Sequence, residues 1–195
     1  MKSKEAVKLF AEDDTAFDAY HEGYRQQVEK WPINPLDRII KAVKKMPKEF
    51  VIGDFGCGDG RLSKSVPHKV FSVDLVSNRD DIIACDMAKT PLKSNSLDCA
   101  VYCLSLMGTN FNDYLLEANR LLKIGGFLQI AEISSRYDNV NDFVKKLELC
   151  GFKLLNKEAE DKKVFFFFKF KKTANVDKTC KLPEYSLKPC AYKKR

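Results

Sequence analysis

From residue 50 onward, short continuous apolar runs alternate with amphipathic stretches; before it the chain is mostly polar with scattered aromatics. The runs at 50–55, 69–74, 82–84, 97–104 and 127–133 are expected to be strands. Their lack of in–out alternation implies burial on both faces, as in a mainly parallel sheet covered by helices. Between them, apolar positions recur at spacings of three and four. Phe111, Tyr114, Leu115, Ala118, Leu121 and Leu122 mark a helix over 111–123 that Gly125-Gly126 stops, and 61–66 is a shorter one. Val140, Phe143, Val144 and Leu147 mark another, stopped by Gly151. Upstream, Asn34 as N-cap and Pro35 at the first position open a helix with Leu36, Ile39, Ile40 and Val43 on one face, and Pro47 ends it.

The last two runs, 152–156 and 164–170, are separated only by the polar stretch 157–163. That connection is too short for a crossover helix, so the two should pair as an antiparallel hairpin. Val164 to Phe168 would be an aggregation hazard if exposed, and the lysines at 162, 163, 169, 171 and 172 flank it as gatekeepers. Three regions follow: an N-terminal helical extension over 1–48, a core over 49–172 and a basic tail over 173–195. Within the first, 1–15 is expected to be frayed and 16–30 an irregular helix. The tail has little periodicity and is expected to pack back through Leu182, Tyr185 and Leu187.

Charge adds one constraint. The net charge of +7 suits a polyanionic partner, although screening limits steering to phosphates within about 8 Å. Seven cysteines lack any CxxC spacing and there are two histidines, so neither a disulfide framework nor a metal centre is expected. The N-terminus has no apolar leader and no run reaches the ~20 residues of a membrane span. A soluble, intracellular protein with no membrane contact is expected.

The chemistry-bearing segment follows the first strand: Asp54-Phe55-Gly56-Cys57-Gly58-Asp59-Gly60. A dinucleotide fingerprint needs Gly-x-Gly-x-x-Gly, but here the third glycine comes one residue early and Arg61 stands in its place. The spacing instead resembles the acid-x-Gly-x-Gly-x-Gly of methyltransferases that use S-adenosylmethionine (SAM). With the terminal hairpin it implies a Rossmann-like, class I SAM-dependent methyltransferase fold, an α/β fold with a mainly parallel seven-stranded sheet and an antiparallel last strand. Gly56, Gly58 and Gly60 would let the backbone approach the cofactor. Asp54 or nearby carbonyls would receive its ammonium group, and Asp74, ending the second strand, its ribose hydroxyls. Asp86 would bond the adenine amino group, with Met87 against the ring. The 102–110 segment, after the fourth strand, should face the sulfonium and the acceptor. It lacks the Asn/Asp-Pro-Pro-aromatic box of amino-group methyltransferases. On composition alone, His21 reads as structural.

Several segments together resemble the ribosomal RNA-processing protein 8 (nucleomethylin) family. They run from Tyr20-His21-Glu22-Gly23-Tyr24-Arg25-Gln26-Gln27-Val28 through Trp31-Pro32 and Asn34-Pro35 to the glycine loop. Cys85-Asp86-Met87-Ala88, Cys103 to Asn110, Glu117 to Arg120, Glu132 to Arg136 and Lys188-Pro189-Cys190-Ala191-Tyr192-Lys193 continue the likeness. The resemblance covers nearly all of the chain from Thr15. It implies a nucleolar, hence nuclear, enzyme of ribosome biogenesis that methylates N1 of an adenine in large-subunit ribosomal RNA and leaves S-adenosylhomocysteine. It moves His21 to the cofactor, and places SAM contacts on Gly56, Asp74, Asp86, Met87 and Cys103. Ile124 departs from the common Lys-Pro-Gly-Gly, which touches a turn and not the chemistry. Animal members carry a long basic N-terminal extension outside this sequence, and RNA or partner contacts held there are not expected from the residues given.

Ser105, Met107, Thr109, Asn110 and Arg25 are the candidates for the acceptor pocket, formed by the 105–110 loop and the 20–31 segment. Arg25, Lys30, Arg136 and the C-terminal basic residues would hold phosphate. The alternative is a SAM-sensing module, with chromatin-silencing proteins as partners and little turnover. A small-molecule methyltransferase suits the basic charge less well.

Overall fold

A computed structural model describes residues 1–190. Seven strands form one sheet in the order β3-β2-β1-β4-β5-β7-β6. They are β1 (Val51–Phe55), β2 (Lys69–Asp74), β3 (Ile82–Ala84), β4 (Leu97–Cys103), β5 (Leu122–Ile133), β6 (Phe152–Ala159) and β7 (Phe165–Lys172). The first five pair parallel, and β7 inserts antiparallel between β5 and β6. The expected hairpin is therefore present, as is the class I methyltransferase order. The chain leaves β1 to build β2 and β3 on one side, then returns to β4 on the other. Ligands in open α/β sheets bind at that reversal, beyond the carboxyl ends of the strands.

Helices cover both faces. On one side lie α3 (Pro35–Lys44) and α4 (Arg61–Ser65); on the other, α5 (Phe111–Leu121) and α6 (Val140–Leu149). Ile39, Ile40 and Val43 of α3 close one apolar layer with Ile52, Val101 and Phe165. Phe111, Leu115, Phe143 and Leu147 close the other with Phe55, Leu128 and Phe168. Asn34 caps α3 as expected, its side-chain oxygen accepting from the Leu36 amide at 3.0 Å.

Three expectations change. Residues 1–15 are not frayed: Ser3–Glu12 is a helix, α1, and Asp14–Lys30 a second, α2, which Asp13 caps by accepting from the Thr15 amide. The glycine pair after α5 does not delay the next strand. Leu122 already pairs with Leu97, and the register then shifts so that Phe127 faces Cys99, leaving 123–126 as a bulge turned by Gly125 at φ +84°. Lys172 is no gatekeeper. It is fully buried, and its ammonium donates to the carbonyls of Asn119 and Leu122 at the negative end of α5.

The tail is strapped to the core as expected. Leu187 and Cys190 are buried, Leu182 and Tyr185 pack against the core, and the Tyr185 ring lies 5.4 Å from that of Phe111. Asn119 holds the start of this strap, donating to the Ala174 carbonyl and accepting from the Val176 amide. Lys193, Lys194 and Arg195, expected to hold phosphate, lie outside the described residues.

Candidate active site

A cleft of about 980 Å³ opens where the strand order reverses, between the ends of β1 and β4 and under α2. Its floor is the glycine loop. Gly56, Gly58 and Gly60 have φ of +76°, +55° and +67°, the left-handed region that costs other residues strain. At Gly56 space is a second reason: a Cβ there would meet Ser105 Cβ well inside the 3.0 Å that such atoms keep. The loop and the acceptor segment are thus in direct contact.

Two carboxylates border the floor. Asp74 accepts from the amides of Gly58 (2.7 Å) and Leu75 (2.7 Å), which fixes its orientation at the end of β2. Burial raises its pKa, against the pull of those amides and of His21. Asp54 is 3% exposed, and its carboxyl is pushed up to about 7, chiefly by burial and then by the charge of Asp74. A cationic ligand group beside Asp54 would favour the ionised form.

Helix α2 forms the roof. The His21 ring packs against Phe17 at 4.4 Å and Tyr20 at 5.7 Å. Its Nε2 is buried with no hydrogen-bond partner among the described residues, and so is the hydroxyl of Ser105 across the cleft. Unsatisfied buried polar atoms are costly, and both face a space in which a nucleoside ligand could satisfy them. Glycines in the left-handed region, orphaned polar atoms and a desolvated carboxylate all fit a cationic nucleoside cofactor.

The acceptor segment leaves β4 through Leu104, which has φ +57° despite its side chain. A buried ion pair holds the next turn. Arg136 and Glu132 are 3% and 0% exposed and lie 2.9 Å apart. Glu132 accepts from the Leu106 amide at 3.3 Å while Arg136 donates to the Leu106 carbonyl at 2.8 Å, so both backbone polar groups of one residue are clamped. Arg136 also donates to the Lys188 carbonyl at 2.7 Å, and Cys190 Sγ touches Met107 Sδ at 3.7 Å. Sequence reasoning missed this clamp and expected Arg136 to bind phosphate. Its guanidinium is instead enclosed by protein groups, which corrects that expectation.

Among the other expected site residues, His21, Arg25, Gly56, Asp74, Asp86, Met87, Cys103, Ser105 and Met107 all line the cleft. Lys30 lines it too, while Arg25 is exposed and pairs with Asp59 and Glu22. Thr109 and Asn110 face an adjoining groove of about 900 Å³. Asn110 is turned to α1, accepting from the Ser3 amide and donating to its hydroxyl. Ser3 was not foreseen. Its hydroxyl donates to Asp86 at 2.6 Å, and Asp86 also accepts from the Ala88 amide. Ser3 therefore ties α1 to the carboxylate expected to read adenine. The only sequence signal was polar: an exposed-looking serine ahead of a weakly amphipathic stretch.

Residues 1–195 match a protein family described as "Hypothetical methyltransferase". Ribosomal RNA-processing protein 8 of Drosophila melanogaster is 58% identical over 193 residues, covering 99% of this chain and 54% of that protein. The chain belongs to the ribosomal RNA-processing protein 8 family. A Schizosaccharomyces pombe relative named 25S rRNA (adenine(645)-N(1))-methyltransferase is 40% identical, covering 100% of this chain and 65% of its own length. The chain thus spans only part of these family members. Among solved structures, the Burkholderia thailandensis 1,6-didemethyltoxoflavin-N1-methyltransferase, bound to S-adenosylhomocysteine, superposes with a TM-score of 0.68. It is 18% identical, covering 89% of this chain and 92% of that one, so the likeness is one of fold. The fold is thus that of a SAM-dependent methyltransferase, and the family includes a relative named as an rRNA methyltransferase.

Proposed function

We propose that this chain is the catalytic part of a SAM-dependent methyltransferase that modifies N1 of an adenine in large-subunit ribosomal RNA, within ribosome biogenesis in the nucleolus. The observation that carries this reading is the glycine floor with Asp54, Asp74 and the orphaned His21 nitrogen, set directly against the clamped acceptor segment. The S. pombe relative's name supplies the adenine and the RNA.

SAM, when bound, supplies a methyl group already activated by its sulfonium charge. His21, Asp54, Asp74, Asp86 and Met87 would hold the donor; the ribose falls to Asp74 and the ammonium to Asp54. Asp86 would exchange or share its Ser3 contact to meet the adenine. Ser105 and Met107 would orient the acceptor base, with rigid placement contributing most of the rate. N1 lies on the pairing edge, so the base must be unpaired or flipped out. Its lone pair is free at neutral pH, so no general base is needed. In agreement, burial pushes the Cys103 thiol and the Tyr24 hydroxyl well up, leaving both neutral walls.

The test is incubation with labelled SAM and deproteinised large-subunit rRNA, followed by mapping of reverse-transcription stops. A single new stop at an adenine is expected. SAM binding without transfer would favour the other reading, a SAM-sensing role beside chromatin-silencing proteins. Transfer to a small molecule alone would overturn the RNA assignment.

A further inference from the structure

At the opposite edge of the sheet from the cleft, on the α3 face, lysines cluster without acidic partners. Antiparallel register places Phe127, Lys171 and Lys153 side by side, with Gln129 and Lys169 in the next row of the same face. Side chains directly opposite in such a ladder have Cβ atoms about 5 Å apart, and like charges there destabilise the sheet. Nonetheless Lys171 faces Lys153, and among the described residues neither they nor Lys169 has a carboxylate within 4.0 Å. Lys169 lies over the Phe127 ring, 4.3 Å from its centroid, and the half-buried Phe50 ring is beside that of Phe127.

Helix α3 extends the patch. Arg38 anchors its flank to β7 and β6, with its guanidinium 4.4 Å over Phe167 and paired with Glu158. That pair occupies the one carboxylate the hairpin turns to this face beside Phe167. Lys41 and Lys45 follow Arg38 at +3 and +7, the same side of the helix, and both are exposed. The fold thus puts five exposed or half-exposed lysines on one face, and among the described residues none has a carboxylate within 4.0 Å. A polyanion would relieve their repulsion; a protein partner of ordinary charge would not.

We infer that this face, formed by Lys41, Lys45, Lys153, Lys169 and Lys171 around Phe127, grips the phosphodiester backbone of the RNA flanking the target nucleotide. The inference rests on the RNA reading above and extends it to a second contact. The cleft lies beyond the carboxyl ends of the parallel strands, and six residues of β5 separate Phe127 from Ile133 at that end, about 20 Å at strand rise. An RNA arm leaving the cleft reaches the patch across three or four nucleotide steps, using the backbone alone and carrying no sequence information.

The experiment compares wild type with Lys153→Gln/Lys169→Gln/Lys171→Gln, and with Lys93→Gln/Lys145→Gln as a control at exposed sites elsewhere. Binding of deproteinised large-subunit rRNA is measured from 50 to 300 mM salt, with SAM affinity and thermal melting alongside. The triple variant should bind RNA about tenfold more weakly at low salt, and its log–log salt slope should be shallower by about 2. KM for RNA should rise with kcat held, and melting should not fall, because like charges are removed. The control should match wild type. Unchanged RNA affinity and salt slope in a triple variant that binds SAM normally would overturn the patch. A wild type that binds no rRNA would overturn the RNA reading and the patch together. If the triple variant melts early, Lys41→Gln/Lys45→Gln on the separate helix carries the same expectation.

Discussion

Gly56→Ala tests the contact between the glycine floor and the acceptor segment, and the structure gives two separable costs. The backbone at φ +76° penalises any L side chain by about 1–2 kcal/mol. The new Cβ would also press on Ser105 Cβ, forcing that segment back by about 1 Å to restore van der Waals distance. Overpacking of this kind costs about 1–3 kcal/mol. The single variant should therefore lose about 2–5 kcal/mol, summing those two ranges. Ser105→Gly alone should lose less than about 1 kcal/mol through backbone freedom. In the double variant Gly56→Ala/Ser105→Gly the obstacle is gone and only the backbone cost remains. Urea denaturation of all four proteins closes the cycle, and calorimetry with SAM follows the site. A coupling of about 1–3 kcal/mol is expected, with SAM affinity partly restored in the double variant. Costs that add to within about 0.5 kcal/mol would refute the claim that floor and segment press on each other.

Breaking the clamp with Glu132→Gln should destabilise the fold by about 3–5 kcal/mol, because Arg136 is left buried and uncompensated. The isosteric pair Glu132→Gln/Arg136→Met should recover much of that in melting experiments. Turnover should stay low, since the Leu106 carbonyl has lost its Arg136 donor, and wild-type kcat in the pair would contradict the clamp. The raised pKa of Asp54 makes a stability contribution that is fully present below 3.8 and lost as pH rises through about 7. Denaturation midpoints should therefore fall over that window, and Asp54→Asn should flatten the profile. SAM affinity should strengthen over the same rise, as the carboxylate ionises opposite the ammonium. A pH-independent affinity in wild type would remove Asp54 from that role. Ser3→Ala removes two hydrogen bonds worth about 1 kcal/mol each. It should raise hydrogen exchange over α1 and leave global stability nearly unchanged. Unaltered protection of α1 would show that Ser3 is no tether.

The parts of this molecule written locally were legible in its sequence. The helix capped by Asn34, the run ending in Asp54, the glycine turn and Asp74 each carry their signal within a few residues. The hairpin followed from connection length alone. What was hidden depends on partners distant in the chain. Ser3 meets Asp86 and Asn110 across 83 and 107 residues, and nothing near Ser3 announces either. Arg136 reads as a surface cation until β5 and the tail close around it. Lys172 sits among lysines that face solvent, and only the carbonyls at the end of α5 distinguish it. Lys169 and Lys171 read as gatekeepers of an apolar run; that they share a face with Lys153 needed the register.

The strap that carries Lys188 has a consequence for the order in which this chain takes shape. A chain emerging from the ribosome can pair β1 with β2 and β4, and form the glycine floor, as those segments appear. The acceptor segment gains its holder from β5, and the holder gains its own restraint only when Lys188 reaches Arg136. The donor side can therefore mature during synthesis, whereas the acceptor side waits for the closing residues of the strap. A nascent or prematurely ended polypeptide would have the means to keep a cofactor but not to present a base to it. The two sides of the cleft would therefore become ordered at different points in synthesis.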